Sequence, residues 1–197
     1  MSKIEITELT PKELMLEAAA FTTQTPDKIP NIDFKKLYLS EHSPIRARLF
    51  WVKMYDIPSF VSTHIVRHGI GVQHYIKTGR EDRGGLPPEE TTRMSLVNHA
   101  MLINAQALIN MSRKRLCNKA HARTRKVMWD IKIAMENLDP DLASVMVPDC
   151  IYRGNNCVEL KSCRSKFAGN RKKYSLMVHP DFIKELEREC ENTSIGE

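Results

Sequence analysis

The sequence predicts an α+β domain in which helices dominate. Three features carry that prediction: a helix-start signature near the N-terminus, a short run of alternating side chains, and two longer stretches with apolar residues at helical spacing. The helix start is Thr10-Pro11-Lys12-Glu13, a capping Thr before a Pro at the first helical position with a Glu close behind, and it predicts a helix reaching Phe21. From Arg46 to Lys53 the chain reads RARLFWVK, where Arg46, Arg48 and Phe50 alternate with Ala47, Leu49 and Trp51 as in a strand. Asp56, Pro58 and Ser59 turn this strand into a helix, FVSTHIVRHG, whose end is assigned to Gly69. His64, Arg67 and His68 share one side of that helix by three- and four-residue spacing, which makes a polar, partly cationic face at its end.

Residues Gly71 to Arg80 are expected to be extended, and EDRGGLPPEE after them is a turn-rich loop. A helix is predicted from Thr91 to Lys114, because Leu102, Ala105, Leu108 and Ile109 recur at helical spacing with Asn104, Met111 and Arg115 along a neighbouring stripe. Another helix starts near Asn118, buries Val127, Ile131, Ala134 and Leu138, and stops at Asp139-Pro140. A short closing helix is expected from Asp181 to Glu189. A chain of 197 residues without internal repeats has the size of one domain, so residues 1–197 are read as a single unit.

Hydrophobic residues make up 42% and charged residues 27%, as in soluble globular proteins, and no apolar run approaches the ~20 residues of a membrane span. The opening MSKIEITELTPKEL has mixed charge and no apolar core of a secretory signal, so the expected location is a cytoplasm without membrane association. The net charge of +6 calls for an anionic partner, either nucleic acid or a phosphorylated small molecule. Lys and Arg are spread, with clusters at Arg113–Arg115 and Arg171–Lys173 and no recognisable nucleic-acid module, so no nucleic acid is expected. Five cysteines in such a chain predict no disulfides. Cys150, Cys157 and Cys163 permit a zinc site with Cys117, Cys190 or His179 as fourth ligand. Their spacings are not the short C-x-x-C pairs of structural zinc, however, so buried thiols and no metal are the expectation.

The chemistry-bearing residues fall in three ordered segments. Arg67-His68-Gly69 is followed by Thr78-Gly79-Arg80. Upstream lies HSPIRARLFWVKMYDIPSFVSTHIVRH, with His42 and Ser43 at its start, and downstream lies NAQALINMSRKRLCNKA. These segments resemble the flavin-dependent thymidylate synthases. The first is similar to their signature R-H-R-x-x-S-x-N-x-x-S-x-R-Y, and the last fits N-A-R-S-L-x-N-F-x-x-x-R-x-x-x-x-A without a gap, with Asn104, Asn110, Arg115 and Ala120 in place. The resemblance spans residues 41–135. It implies the family's fold, an antiparallel sheet packed with long helices, and a homotetramer with shared active sites. It also implies reductive methylation of dUMP to dTMP with FAD as cofactor and NADPH and methylenetetrahydrofolate as co-substrates.

Carried over residue by residue, the resemblance makes Arg115 the catalytic, uracil-facing cation. His64, Thr78, Gly79, Arg80 and Arg93 join it as nucleotide contacts, Arg80 and Gly79 gripping the phosphate, and Ser43, Arg67, His68, Asn104, Asn110 and Lys119 contact FAD. An arginine suits this chemistry, because activating uracil C5 pushes negative charge onto the ring oxygen and N3, which a planar, permanently charged guanidinium can meet at two points. Taken without the family, Arg115 is a solvated charge in an RKR cluster and Thr78-Gly79-Arg80 an ordinary turn. The chain departs from the pattern at Gly69 and Gln106, which stand in place of arginines, at Lys119 in place of His, and at Glu81 in place of Tyr. These departures leave room for another 5-substituted product, such as hydroxymethyl-dUMP, or for a non-catalytic nucleotide- or nucleic-acid-binding relative.

Overall fold

Alternating burial, rather than helical spacing, organises the middle of the chain. The computed structural model describes residues 3–23, 31–85, 87–154, 156–163 and 188. Among these, four antiparallel strands form a sheet in the order β1-β2-β4-β3: β1 Lys3–Glu8, β2 Leu49–Pro58, β3 Val72–Ile76 and β4 Leu96–Asn104. Phe50, Val52 and Met54 of β2 and His99, Met101 and Ile103 of β4 point to one side and are buried, while their sequence neighbours are only partly covered. Helices pack on that side: α1 Glu13–Thr22, α2 Phe34–Ser40, α3 Ser59–Val66, α4 Ala105–Arg115, α5 Ala122–Leu138, α6 Pro140–Val145 and α7 Asp149–Tyr152. The α+β class and the helix-covered antiparallel sheet are as predicted.

Several boundaries differ from the sequence reading, each for a local reason. Thr10 does not cap α1; its hydroxyl donates to Ala47 O (2.8 Å) and accepts from Leu49 N (2.8 Å), tying the chain before α1 to β2. Residues Ser43–Ala47 form a 3-10 turn with Pro44 at its start, so the strand begins at Leu49 rather than Arg46. α3 ends at Val66, and Gly69 lacks the positive φ of a helix-ending glycine. The predicted helix from Thr91 is wrong in its first half. Residues 96–104 are β4, and helix begins only where Asn104 caps α4 by accepting from Ala107 N (2.9 Å). Leu102 and Asn104 fitted a helical stripe only by coincidence, because alternation through His99, Met101 and Ile103 governs that segment. α5 starts at Ala122 and stops at the predicted Asp139-Pro140. The expected closing helix lies outside the described residues.

A buried ionic hub closes the domain at the β1 end. Arg48, fully buried, reaches Asp139 Oδ2 through Nη2 (3.2 Å) and Glu8 through the same nitrogen (2.8 Å), and donates through Nη1 to Thr10 O. Tyr38 of α2 donates to Asp139 Oδ2 (2.8 Å), Asp139 Oδ1 accepts from Leu142 N (3.1 Å), and Lys12 stands 3.3 Å from Oδ1. One carboxylate thus joins α2, β2, α6 and the start of α1. Burial, reinforced by Asp139, pushes the Tyr38 hydroxyl well above its ordinary value. Asp139→Ala leaves Arg48 without the buried one of its two carboxylates and is expected to cost about 3–5 kcal/mol in urea unfolding. Lys3→Ala, which removes only an exposed amine from its surface pair with Glu5, should shift the midpoint far less. Equal midpoint shifts for the two variants would contradict the hub.

Candidate functional site

β2 runs directly into α3, and the α3 amides at Ser59 and Phe60 donate to Ser95 O (2.9 Å) and Arg93 O (3.2 Å). That pairing draws the loop before β4 over the start of α3, and the Arg93 guanidinium lies 5.8 Å from the Phe60 ring centre. Phe60 also meets His64 (5.6 Å) and His121 (4.7 Å) edge-on. At the other end of α3, His64 Nδ1 contacts Thr124 Oγ1 of α5 (2.9 Å). The last turn of α4 delivers Arg115, whose Nε donates to His68 Nε2 (2.9 Å). The polar face predicted for His64, Arg67 and His68 therefore exists, and Arg115 and Arg93 belong to the same neighbourhood.

Electrostatics mark this cluster as anion-seeking. Burial and then Arg115, Arg67, His121 and Arg93 lower His64, while burial and then Arg67 lower even Arg115. Among the described residues, none of Arg67, Arg93 and Arg115 is ion-paired to a carboxylate. Cations are stabilised at a helix C-terminus, which helps hold Arg115 there. Nε is spent on His68, and no described residue accepts from the two terminal nitrogens of Arg115, which leaves them for a ligand.

Segment 67–71 runs alongside α4 towards its start, where Asn104 N donates to Gly71 O (3.1 Å). Gly71 has φ 74°, and a Cβ there would stand 2.7 Å from Asn104 Nδ2, so only glycine fits this crossing. An open cavity of ≈ 520 Å³ lies at this end, lined among others by Glu41, Arg46, Gly71, Asn104, Gln106 and Asn110. Ten residues of α4 lie between Asn104 and Arg115, which sets the two about 16 Å apart along the axis. Two of the predicted FAD contacts, Asn104 and Asn110, share the cavity; Arg67 and His68 stand at the Arg115 end of the segment, and Ser43 is exposed on the adjacent 3-10 turn.

The cavity fits an anionic, amide-recognised group. Gln106, in place of an arginine, donates to Glu41 Oε2 (2.6 Å) and to Asn110 Oδ1 (3.3 Å) instead of reaching into the space. Burial alone would raise Glu41, but hydrogen bonds from Tyr152, Gln106 and Arg113 together hold it below its ordinary value. Arg113 neutralises this carboxylate and stacks on Tyr152 (3.5 Å), so the wall is not repulsive to an anion. Arg46, exposed at the cavity, supplies the cation that Gln106 does not. Sequence reasoning missed Arg46 because it was read as part of the strand.

The other predicted residues stand elsewhere. Arg80 is exposed and makes a two-point pair with Asp82 (2.9 and 2.7 Å), while Gly85 N closes the loop onto Arg80 O (2.9 Å). Thr78 accepts from Arg80 N (3.3 Å), and Gly79 has open space around its Cα. Lys119 does not join Asn104 and Asn110; the turn after α4 carries it to a pocket with Cys117, Cys150, Cys157 and Cys163. No three His, Cys, Asp or Glu among the described residues are grouped so as to hold a metal. Burial pushes the Cys117 thiol up. Elemental analysis of the purified chain is expected to find less than one zinc per chain; one equivalent would overturn the thiol reading.

Burial, with Arg115 and His74, pushes His68 down to about 4, and burial with His74 does the same to His99. Both rings stay neutral where an unfolded histidine, near 6.5, is already protonated. The unfolded chain then binds more protons, so their contribution is intact above about pH 6.5 and is lost as pH falls towards 4. Urea midpoints should decline across that window and decline less in His99→Gln. A flat profile would contradict these assignments.

No protein-family model matches the chain, and no curated protein matches it significantly. Solved structures do. A flavin-dependent thymidylate synthase ThyX from Helicobacter pylori, complexed with FAD and dUMP, superposes with a TM-score of 0.60 at 13% identity, over 74% of this chain and 99% of that one. A UMP/dUMP methylase PolB from Streptomyces cacaoi, bound with 5-Br dUMP, gives 0.56 at 12% identity, over 73% and 94%. Also among the described residues, no helix is long and apolar enough to cross a membrane. With its antiparallel sheet and covering helices, the chain has the fold of the flavin-dependent thymidylate synthases.

Proposed function

We propose that the chain is a flavin-dependent enzyme acting on dUMP, methylating uracil C5 to yield dTMP. The observation that carries this reading is the guanidinium of Arg115, which meets no carboxylate among the described residues and is held by a neutral His68 near Arg67, Arg93 and His64, in a fold whose neighbours were solved with FAD and dUMP or with a brominated dUMP. Arg115 would present its two terminal nitrogens to the uracil oxygen and N3, where charge develops as C5 becomes nucleophilic. Arg93 and Arg67 add positive potential that favours the nucleotide dianion. Arg80 is the phosphate contact in this reading, and its exposed pair with Asp82 is weak enough to exchange for phosphate.

Asn104, Asn110 and Arg46 would hold FAD at the cavity, and Ser43 stands beside it. Reduced FAD, when bound, supplies hydride, with NADPH as the source of reducing equivalents and methylenetetrahydrofolate as the carbon donor. A homotetramer completing each site with partner residues is part of the proposal. Gln106, turned inward to Glu41, favours a second reading in which the same site makes a different 5-substituted pyrimidine, such as hydroxymethyl-dUMP.

Arg115→Ala should lower turnover about 100- to 1,000-fold while FAD absorbance persists, and Arg115→Lys should rescue little because an ammonium lacks the two-point geometry. Arg80→Ala should raise KM with kcat nearly unchanged, since a phosphate contact is made equally in ground and transition states. Wild-type turnover by Arg115→Ala would remove this residue from the site. A hydroxymethyl product by mass spectrometry would favour the second reading. Separately, Arg46→Ala should weaken FAD binding, and light scattering should give a tetramer; a stable monomer with full activity would contradict shared sites.

A further inference from the structure

A line of side chains outside the proposed contacts ends on the residue that holds Arg115. Ser62 Oγ lies 3.0 Å from His99 Nδ1, His99 Nε2 lies 2.9 Å from His74 Nδ1, and His74 Nε2 lies 2.8 Å from the His68 carbonyl. α3 supplies Ser62, while His99 of β4 and His74 of β3 meet diagonally on the covered face of the sheet.

Chemistry orders this line in one direction. A carbonyl only accepts, so His74 Nε2 carries the proton and, in the neutral ring, Nδ1 accepts. His99 Nε2 must then donate, and its Nδ1 accepts from the Ser62 hydroxyl. The same reasoning applies to His68, which accepts from Arg115 Nε and therefore carries its own proton on Nδ1. We infer that His74 and His99, oriented by Ser62, are positioning residues that set the His68 backbone and so fix the guanidinium of Arg115. This rests on the reading of Arg115 as the pyrimidine-facing group.

The backbone explains why such an anchor is needed. His68 is followed by Gly69, whose Cα faces open space, by Ile70, which is 91% exposed, and by Gly71 at positive φ. Two glycines in four residues leave this segment little conformational restraint of its own. His68 N is held by Ile65 O (3.0 Å), and the His74 ring holds the carbonyl on the other side of the residue. With both backbone groups fixed, the His68 ring stands where Nε2 can receive Arg115.

The contact between the two rings is sealed from solvent. His99 is 1% exposed, so bulk water cannot reach in to replace either ring's partner across the 2.9 Å contact.

The test is nitrogen-15 NMR of the full chain, following the Arg115 Nε–H resonance assigned with Arg115→Lys, alongside calorimetry with dUMP. His74→Leu removes the anchor, whereas His74→Gln keeps a donor for the His68 carbonyl and an acceptor for His99. Wild type should show a protected Arg115 Nε–H that is lost in His74→Leu and restored in His74→Gln. dUMP affinity should fall on the order of 10- to 100-fold in His74→Leu, the range seen when an orienting partner is removed, and recover in His74→Gln. Ser62→Ala, which removes only the hydroxyl that orients His99, should weaken the protection, a comparison that holds even if His74→Leu fails to fold. A protected Arg115 Nε–H in folded His74→Leu, or protection in Ser62→Ala equal to wild type, would overturn the inference. If the resonance behaves as expected but wild type binds no dUMP, the relay stands and the substrate reading fails.

Discussion

The antiparallel pairing of β2 with β4 decides where every part of the cationic cluster stands. β2 continues without a loop into α3, which brings His64 and leads to Arg67 and His68, and β4 continues through the Asn104 cap into α4, which ends on Arg115. Leu49 pairs with Asn104 and Pro58 with Leu96, so one register places the starts of both helices at opposite ends of the same strand pair. Slipping β2 by one residue would turn Phe50, Val52 and Met54 outward together, which makes the register costly to alter. The register break between Met54 and Ile57, where Asp56 adopts φ 52° and its amide is met by Asn98 Oδ1 (3.1 Å), bends the end of β2 towards α3.

Stability and site chemistry are separated in this frame. The Arg48–Asp139 hub uses a buried cation fully matched by carboxylates, a phenol and a backbone carbonyl, and it lies at the β1 side of the sheet. At the β3 side, Arg115, Arg67 and Arg93 are gathered with no carboxylate paired to them among the described residues, and burial and neighbouring positive groups lower the His64 and His68 side chains. Gathering like charges costs free energy that an anionic ligand would return, a pattern that points to binding rather than to packing.

Much of the architecture was legible in the sequence because local rules and tertiary packing agree there. The run through Phe50 and Val52, the buried face of α5 at Val127 and Ile131, and the stop at Asp139-Pro140 each obey one rule strongly. The β4 segment was not legible. Leu102, Ala105, Leu108 and Ile109 fit a helical stripe across a strand–helix junction, and only tertiary pairing with β2 and β3 separates the two halves. In the site, the gathering of His64, Arg67 and His68 followed from helix spacing, whereas the approach of Arg115 to His68 joins residues 47 apart and no local rule reaches that far. His74 and His99 carried one faint signal, alternation through His99, Met101 and Ile103, and no local rule links them to Ser62. A gapless match set Lys119 with the FAD contacts, and within the chain the turn after α4 places it at the cysteine pocket.

The most direct test is loss of the C5 hydrogen from dUMP, which methyl and hydroxymethyl products both require. Wild-type chain supplied with FAD, methylenetetrahydrofolate and NADPH should release tritium to water from dUMP labelled at C5. Binding of FAD and dUMP without any such release would contradict a site built to activate uracil C5.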